Sequence, residues 1–203
     1  AHAFLAPDDR WRIPVRLEEV EPDLVVALLR LEDRRFHWHL GVDVVAIARA
    51  ALLNVTRGGV VSGASTITMQ VVRLAEPRPR TLRSKGIEAL RAIQLELRLS
   101  KREILQAWLQ FTPYGRNVEG IEAASLAYFG HGAGALSPAE IATLLAVPQN
   151  PNQRYPTPEH EATLRAARHE IATRLLEAGA FPRRSGGVTA SPDEVADEVA
   201  REP

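Results

Sequence analysis

Three stretches of this chain carry the same four-residue signal: Ser100-Lys-Arg-Glu103, Ser137-Pro-Ala-Glu140 and Ser191-Pro-Asp-Glu194. In such a box the serine oxygen accepts from the amide three residues on, and the glutamate reaches back to the serine's own amide, so the chain that follows is committed to a helix. In the last two a proline also stands at the first helical position. Helical periodicity continues between the boxes. Pro22 fits a first-turn proline ahead of Leu24, Leu28, Leu31 and Arg35, which share one stripe at three- and four-residue spacing. Asn117 is expected to cap a helix with Ile121, Ala124 and Tyr128 on its apolar face and Gly130 at its end. Turn-rich breaks fall at Gly58-Gly59, Glu76-Pro-Arg-Pro-Arg80 and Gln149-Asn-Pro-Asn-Gln153. Strand alternation is nearly absent, and only Trp11 to Val15 reads as a short strand. The fold class is therefore mainly α, with residues 182–203 forming a linker and a short C-terminal helix around Pro192 to Ala200.

Composition narrows the partners. A chain of 203 residues, 45% apolar, is long enough for one good core. Lys+Arg and Asp+Glu balance at 25 each, so there is no global basic field and no nucleic-acid partner is expected. Cysteine is absent, which excludes disulfides, thiolate metal sites and cysteine nucleophiles. No apolar run reaches the roughly 20 residues of a spanning helix, and the longest, Val42 to Val55, is interrupted by Asp43 and Arg49. Neither a signal peptide nor a membrane span is expected within the chain. Its start at Ala1 without a methionine fits a processed or excised fragment from which any anchor has been removed.

Three constellations carry chemistry. In the first, Glu32-Asp33-Arg34-Arg35-Phe36-His37-Trp38-His39-Leu40-Gly41, the carboxylate of Glu32 continues the apolar stripe of its helix four residues after Leu28. An acid there is costly unless it is used or paired; the plain alternative is an ion pair with Arg35 or another arginine. His37 and His39 would diverge on a helix, which argues against a metal pair and for His39 as a structural hydrogen-bonder. In the second, Gly63-Ala64-Ser65-Thr66-Ile67-Thr68-Met69-Gln70, small residues and hydroxyls precede a helix start that can meet an anion. Arg73, Arg78, Arg80, Arg83 and Lys85 follow, offset only by Glu76, as the one locally basic segment. It is either a solvated loop or a pyrophosphate clamp. The third is a helix expected over Leu82 to Leu99, where Lys85 and Glu88 are three apart and Glu88, Ala92 and Glu96 share a face. Glu88 is then either half of a surface ion pair or, facing inward, a second acid; the two carboxylates lie roughly 12 Å apart along the axis.

In this order, Glu32-Asp-x-x-Phe36-x-x-His39-x-Gly41, Gly63-x-Ser65-Thr66-x-Thr68-x-Gln70, Lys85-x-x-Glu88, Lys101-x-Glu103-Ile104-Leu105 and Gly120-Ile121-x-Ala123-Ala124-x-x-x-Tyr128-Phe129-Gly130 resemble the five motifs of the family 51 glycosyltransferase domain of class A penicillin-binding proteins. Thr68-Met69-Gln70-Val71 and Gln94-Leu95-Glu96 resemble the penicillin-binding protein 1C branch. The resemblance implies a glycosyltransferase domain over residues 1–181, built as a lysozyme-like helical lobe with a smaller jaw. It also implies polymerisation of lipid II into glycan strands at the periplasmic face of the bacterial inner membrane. Glu32 matches the general base and Glu88 the second acid. Asp33, Phe36, His39, Ser65, Thr66, Gln70, Arg73, Arg83 and Lys85 match substrate-binding positions. A divalent cation, Mg or Mn, at the pyrophosphate is left open, as are a transpeptidase domain or cell-wall synthesis proteins as partners.

The chain departs from the usual pattern at Ser84 for arginine, Ala64 for glycine, Met69 for glutamine and Gln110 for asparagine; Arg83 is the candidate for the charge missing at Ser84. No Ser-x-x-Lys and no Lys-Thr-Gly occurs, so penicillin-reactive chemistry is not housed in these residues. The alternatives are a lytic enzyme on the same scaffold, which has no use for a pyrophosphate clamp, and a non-catalytic lipid II-binding module.

Overall fold

The computed structural model describes residues 4–5, 9–56 and 64–180. The expectations for Gly58-Gly59, for Gly63 and for the linker and helix of 182–203 lie outside those residues. Among the described residues the chain is mainly helical, with one small sheet. In order come β1 (Phe4–Leu5), β2 (Trp11–Arg12), α1 (Pro22–Glu32), α2 (Val44–Thr56), α3 (Ile67–Ala75), α4 (Leu82–Glu96), α5 (Lys101–Phe111), β3 (Pro113–Gly115), β4 (Val118–Glu119), α6 (Ile121–Phe129), α7 (Pro138–Ala146), α8 (Pro151–Arg154) and α9 (Glu161–Glu177). They divide into a larger unit, residues 1–31 with 109–203, and a smaller one, residues 32–108.

The larger unit is organised around α7. Every residue from Ala139 to Ala146 is buried, the signature of a helix enclosed on all sides. Ser137 and Glu140 form the expected capping box at its start, and Ala167, Ile171 and Leu175 line the buried face of α9, its main neighbour. The strand expected from Trp11 is present as β2, in a sheet of order β1-β2-β4-β3 where β2 runs parallel to β4 and β3–β4 is a hairpin. Gln110 extends this pairing through its side chain: Nε2 donates to the Ile13 carbonyl and Oε1 accepts from the Val15 amide, both at 3.3 Å.

Asn117 does not cap α6. It sits at φ +65° in the β3–β4 turn, and the cap is Gly120, at φ +87°. A Cβ on Gly120 would stand 2.7 Å from the Gln110 carbonyl oxygen, so the close approach demands glycine there. Gly130 closes α6 in the left-handed conformation, as its position suggests. Tyr128 donates to the Tyr114 carbonyl and stacks edge-on against Tyr114 and Tyr155. This makes the fifth motif a brace for the hairpin.

In the smaller unit α3 packs on α4 through Met69, Val72 and Ala92. Ser100 caps α5, with its amide donating to Glu103 at 2.7 Å. Because Ser100 must leave helical geometry to act as a cap, α4 ends at Glu96 instead of the expected Leu99.

Candidate functional site

All the residues singled out as catalytic or substrate-binding fall within residues 32–108, in the smaller unit. Glu32 is the last residue of α1. The helix stops there, so Arg35 is not on its stripe, and the ion pair considered for Glu32 is not formed: Arg35 grips Asp43 instead. Glu32 is half-buried, and its Oε2 accepts from the Gln70 Nε2 amide of α3 at 2.8 Å. The Gln70 oxygen in turn accepts from the indole N–H of Trp108 on α5 at 2.9 Å. Among the described residues no cation pairs with Glu32.

Behind this chain stands a buried frame. Asp33, 5% exposed, accepts from the Ile67 amide at the start of α3 (3.0 Å) and is bonded to His39 Nε2 (2.9 Å), which bears out His39 as a structural hydrogen-bonder. Thr66 caps α3 by accepting from the Met69 amide, and its hydroxyl donates to the Gly41 carbonyl at 2.6 Å. Phe36 is 1% exposed, with the Lys101 ammonium 4.5 Å from its ring centroid. Lys101 also donates to the His39 carbonyl and to Glu96, each at 2.7 Å, and Glu96 accepts from Thr68 at 2.6 Å. Asp33, Phe36, His39 and Thr66 are thus occupied inside the protein, where they fix the loop that follows Glu32.

The basic segment differs. Arg78 is paired with Glu76, but among the described residues no carboxylate pairs with Arg73, Arg80, Arg83 or Lys85. Ser65 and Arg73 are half-buried, while Arg83 and Lys85 are exposed. Ser84, Glu88 and Ala92 form the buried face of α4, so Arg83 does not share the face of Ser84, whose hydroxyl bonds Thr81 Oγ1 at 2.9 Å. Glu88, 5% exposed, is turned inward, and the surface ion pair with Lys85 is not formed. Among the described residues its carboxylate has no hydrogen-bond or ion-pair partner, and no group of three or more His, Asp or Glu stands ready to hold a metal.

The sequence reading missed Trp108 as part of this site. At core spacing beside Ile104, Leu105 and Leu109 it reads as packing alone, and nothing local to it points to Gln70.

The stretch that holds Glu32 with its amide partner Gln70, and the basic segment from Arg73 to Lys85, fall in a region of the sequence shared with known proteins. The family model described as transglycosylase matches residues 2–176, a span containing all of this site. The chain belongs to the transglycosylase family. Penicillin-binding protein 1C of Escherichia coli is 43% identical over 180 residues, covering 89% of this chain and 23% of that protein. Penicillin-binding protein 1A of Aquifex aeolicus is 38% identical over 169 residues, 83% of this chain and 23% of that protein. A crystal structure of penicillin-binding protein 1A from Haemophilus influenzae aligns with a TM-score of 0.49 at 18% identity, covering 96% of this chain and 18% of that one. This transglycosylase chain therefore spans about a quarter of the length of the curated relatives it matches.

Proposed function

We propose that this transglycosylase domain polymerises lipid II into glycan strands. The observation that carries the proposal is the state of Glu32. Its one side-chain hydrogen bond among the described residues comes from a neutral amide, which fixes the carboxylate in place without an ion pair to neutralise it, as a general base requires. The 4-hydroxyl of the acceptor sugar attacks the anomeric carbon of the lipid-linked strand. As the new C–O bond forms, Glu32 takes the hydroxyl proton, the anomeric bond to pyrophosphate breaks with its electrons going to the phosphate oxygen, and the configuration inverts. A pyrophosphate leaving group calls for cations instead of an acid, and Arg73, Arg83 and Lys85 are available to meet it. This need for cations separates the reading from that of a lytic enzyme, which must protonate a sugar oxygen.

Glu88 fits a divalent cation that arrives with its phosphates, since Mg2+ is commonly held by one or two carboxylates plus substrate oxygens. Such a cation, Mg or Mn, would neutralise charge on the leaving pyrophosphate, with Glu88 as its protein ligand.

A membrane-bound substrate implies work at a lipid surface. The smaller unit suits this: Val44, Val45, Leu52 and Val55 of α2, Leu82 of α4 and Leu97 just after α4 are each 61–90% exposed. Among the described residues no helix is long and apolar enough to cross a membrane. The periplasmic face of the inner membrane, and a transpeptidase domain or cell-wall synthesis proteins as partners, complete the proposal.

Incubation of the purified chain with lipid II tests it. Glycan polymer should appear, and sacculi should release no muropeptides. Release of anhydro- or reducing-end muropeptides would favour the lytic reading, and binding without turnover the non-catalytic one.

A further inference from the structure

We propose that Trp108 is a positioning residue for the base: its indole N–H sets the orientation of the Gln70 amide and, through it, the oxygen with which Glu32 accepts the proton. The inference rests on Glu32 acting as the base.

The three side chains come from separate helices, with Gln70 38 positions after Glu32 and Trp108 38 positions after Gln70. An indole nitrogen can only donate, a carboxylate can only accept, and a primary amide does both at opposite ends. The two partners therefore admit one orientation of Gln70. Its oxygen faces Trp108 at 2.9 Å and its NH2 faces Glu32 at 2.8 Å. The flipped amide would set N–H against N–H on one side and oxygen against carboxylate on the other. Trp108 is 3% exposed and packed among core residues, so its ring is a fixed point. Gln70 transmits that rigidity to Oε2 of Glu32 and leaves Oε1 for the substrate hydroxyl. Gln70 thereby belongs to the base and not to the donor sugar. Without the indole donor the amide loses its anchor and the carboxylate can swing, and a base displaced by about 1 Å is enough to lose roughly a hundredfold in rate.

Two substitutions separate positioning from packing, because they rank oppositely on the two readings. Phe fills more of the indole's volume but carries no donor. Histidine is smaller, yet its five-membered ring overlays the pyrrole ring of indole and puts Nε2–H where Nε1–H stands. With lipid II as substrate, Trp108→Phe should lower kcat by about 10- to 100-fold with KM within about threefold, and Trp108→His should retain the higher kcat. In a Gln70→Ala background, Trp108→Phe should cost little more, since the connection is already cut. A kcat that follows melting temperature, with Phe above His, would overturn the proposal, as would independent multiplication of the Gln70 and Trp108 effects.

A further measurement needs no Trp108 variant to fold. The chain has three tryptophans, so its indole N–H resonances are few. Gln70→Ala should move the Trp108 resonance, identified by its slow solvent exchange, and leave the other two in place; an unmoved resonance refutes the link. Glu32→Gln serves as the control: if it polymerises normally, the reading of the base has failed, whatever the Trp108 variants do.

Discussion

Glu32 and Glu88 are both glutamates on helices of one small unit, yet their surroundings prepare them for different work. Glu32 is half-buried and held by an amide, while Glu88 is buried on α4 without a donor among the described residues. Replacing Glu32 by Gln should reduce polymerisation about 100- to 10,000-fold, the usual loss for positioned acid–base catalysis, while a substrate analogue still binds. Glu88→Gln should hurt less, and its defect should vary with Mg or Mn concentration if the carboxylate meets a cation. Steady-state turnover of both variants across a metal titration checks the assignment, and a dead Glu88→Gln beside a normal Glu32→Gln would reverse the roles. Arg73 and Lys85 have no carboxylate partner among the described residues and Lys85 is exposed. Alanine at either should leave the melting temperature nearly unchanged and raise the apparent KM for lipid II. A large loss of stability with normal kinetics would show that they serve the fold.

At the level of elements, the loop between α1 and α2 depends on two local devices. Gly41 adopts φ +81°, and a Cβ there would lie 2.6 Å from the backbone carbonyl group of Ala92 on α4. Gly41→Ala is expected to lower unfolding free energy by about 1–3 kcal/mol from backbone strain, with the clash adding to it, measurable by urea denaturation. Asp43 caps α2 by accepting from the Ala46 amide at 2.8 Å and pairs with Arg35. Burial pushes its carboxyl up, but hydrogen bonds from Arg35 and Ala46, with the charges of Arg35 and His39, outweigh this and hold it below the ordinary aspartate value. Since folding lowers this value, the stabilisation is complete above the unfolded-state value and vanishes as pH falls through the folded-state value. Asn is also a good cap, so Asp43→Asn isolates the charge. It should melt below the wild type at neutral pH, and the gap should close in acid; an equal gap at every pH would contradict the account.

Across the whole molecule the formal net charge is zero, so long-range attraction to an anionic surface is weak and any attachment to lipid must come from apolar contact and the one basic segment. Val45 and Leu52 on α2 are 61% and 65% exposed, and changing both to Ser should not disturb the core. Partition of the chain onto vesicles of bacterial lipid should nevertheless fall by about tenfold or more, given roughly 1.5–3 kcal/mol for fully burying each such side chain. The part of the partition lost with these two side chains should change little with added salt, since apolar contact is not screened. Cosedimentation of the two proteins at low and high salt decides the matter, and equal partition would remove α2 from the membrane contact.

Much of the helical framework was legible because its signals act within one turn. Pro22 opens α1, the Ser137–Glu140 box opens α7, Ser100 with Glu103 opens α5, and Gly130 closes α6, each through interactions three or four residues long. The motif residues around Glu32, Gln70 and Glu88 were legible as residue types in order. Their partners were not. Asn117 has a good cap's chemistry, but the hairpin takes it and the tight approach to Gln110 makes Gly120 the cap. Arg35 leaves the Glu32 stripe for Asp43, and Lys85 stays in solvent while Glu88 turns inward. The connection from Trp108 through Gln70 to Glu32 spans two separations of 38 positions. Helix caps are decided by neighbours along the chain. Which carboxylate is buried, which cation stays unpaired and which amide faces the base are decided by what packing brings together from a distance.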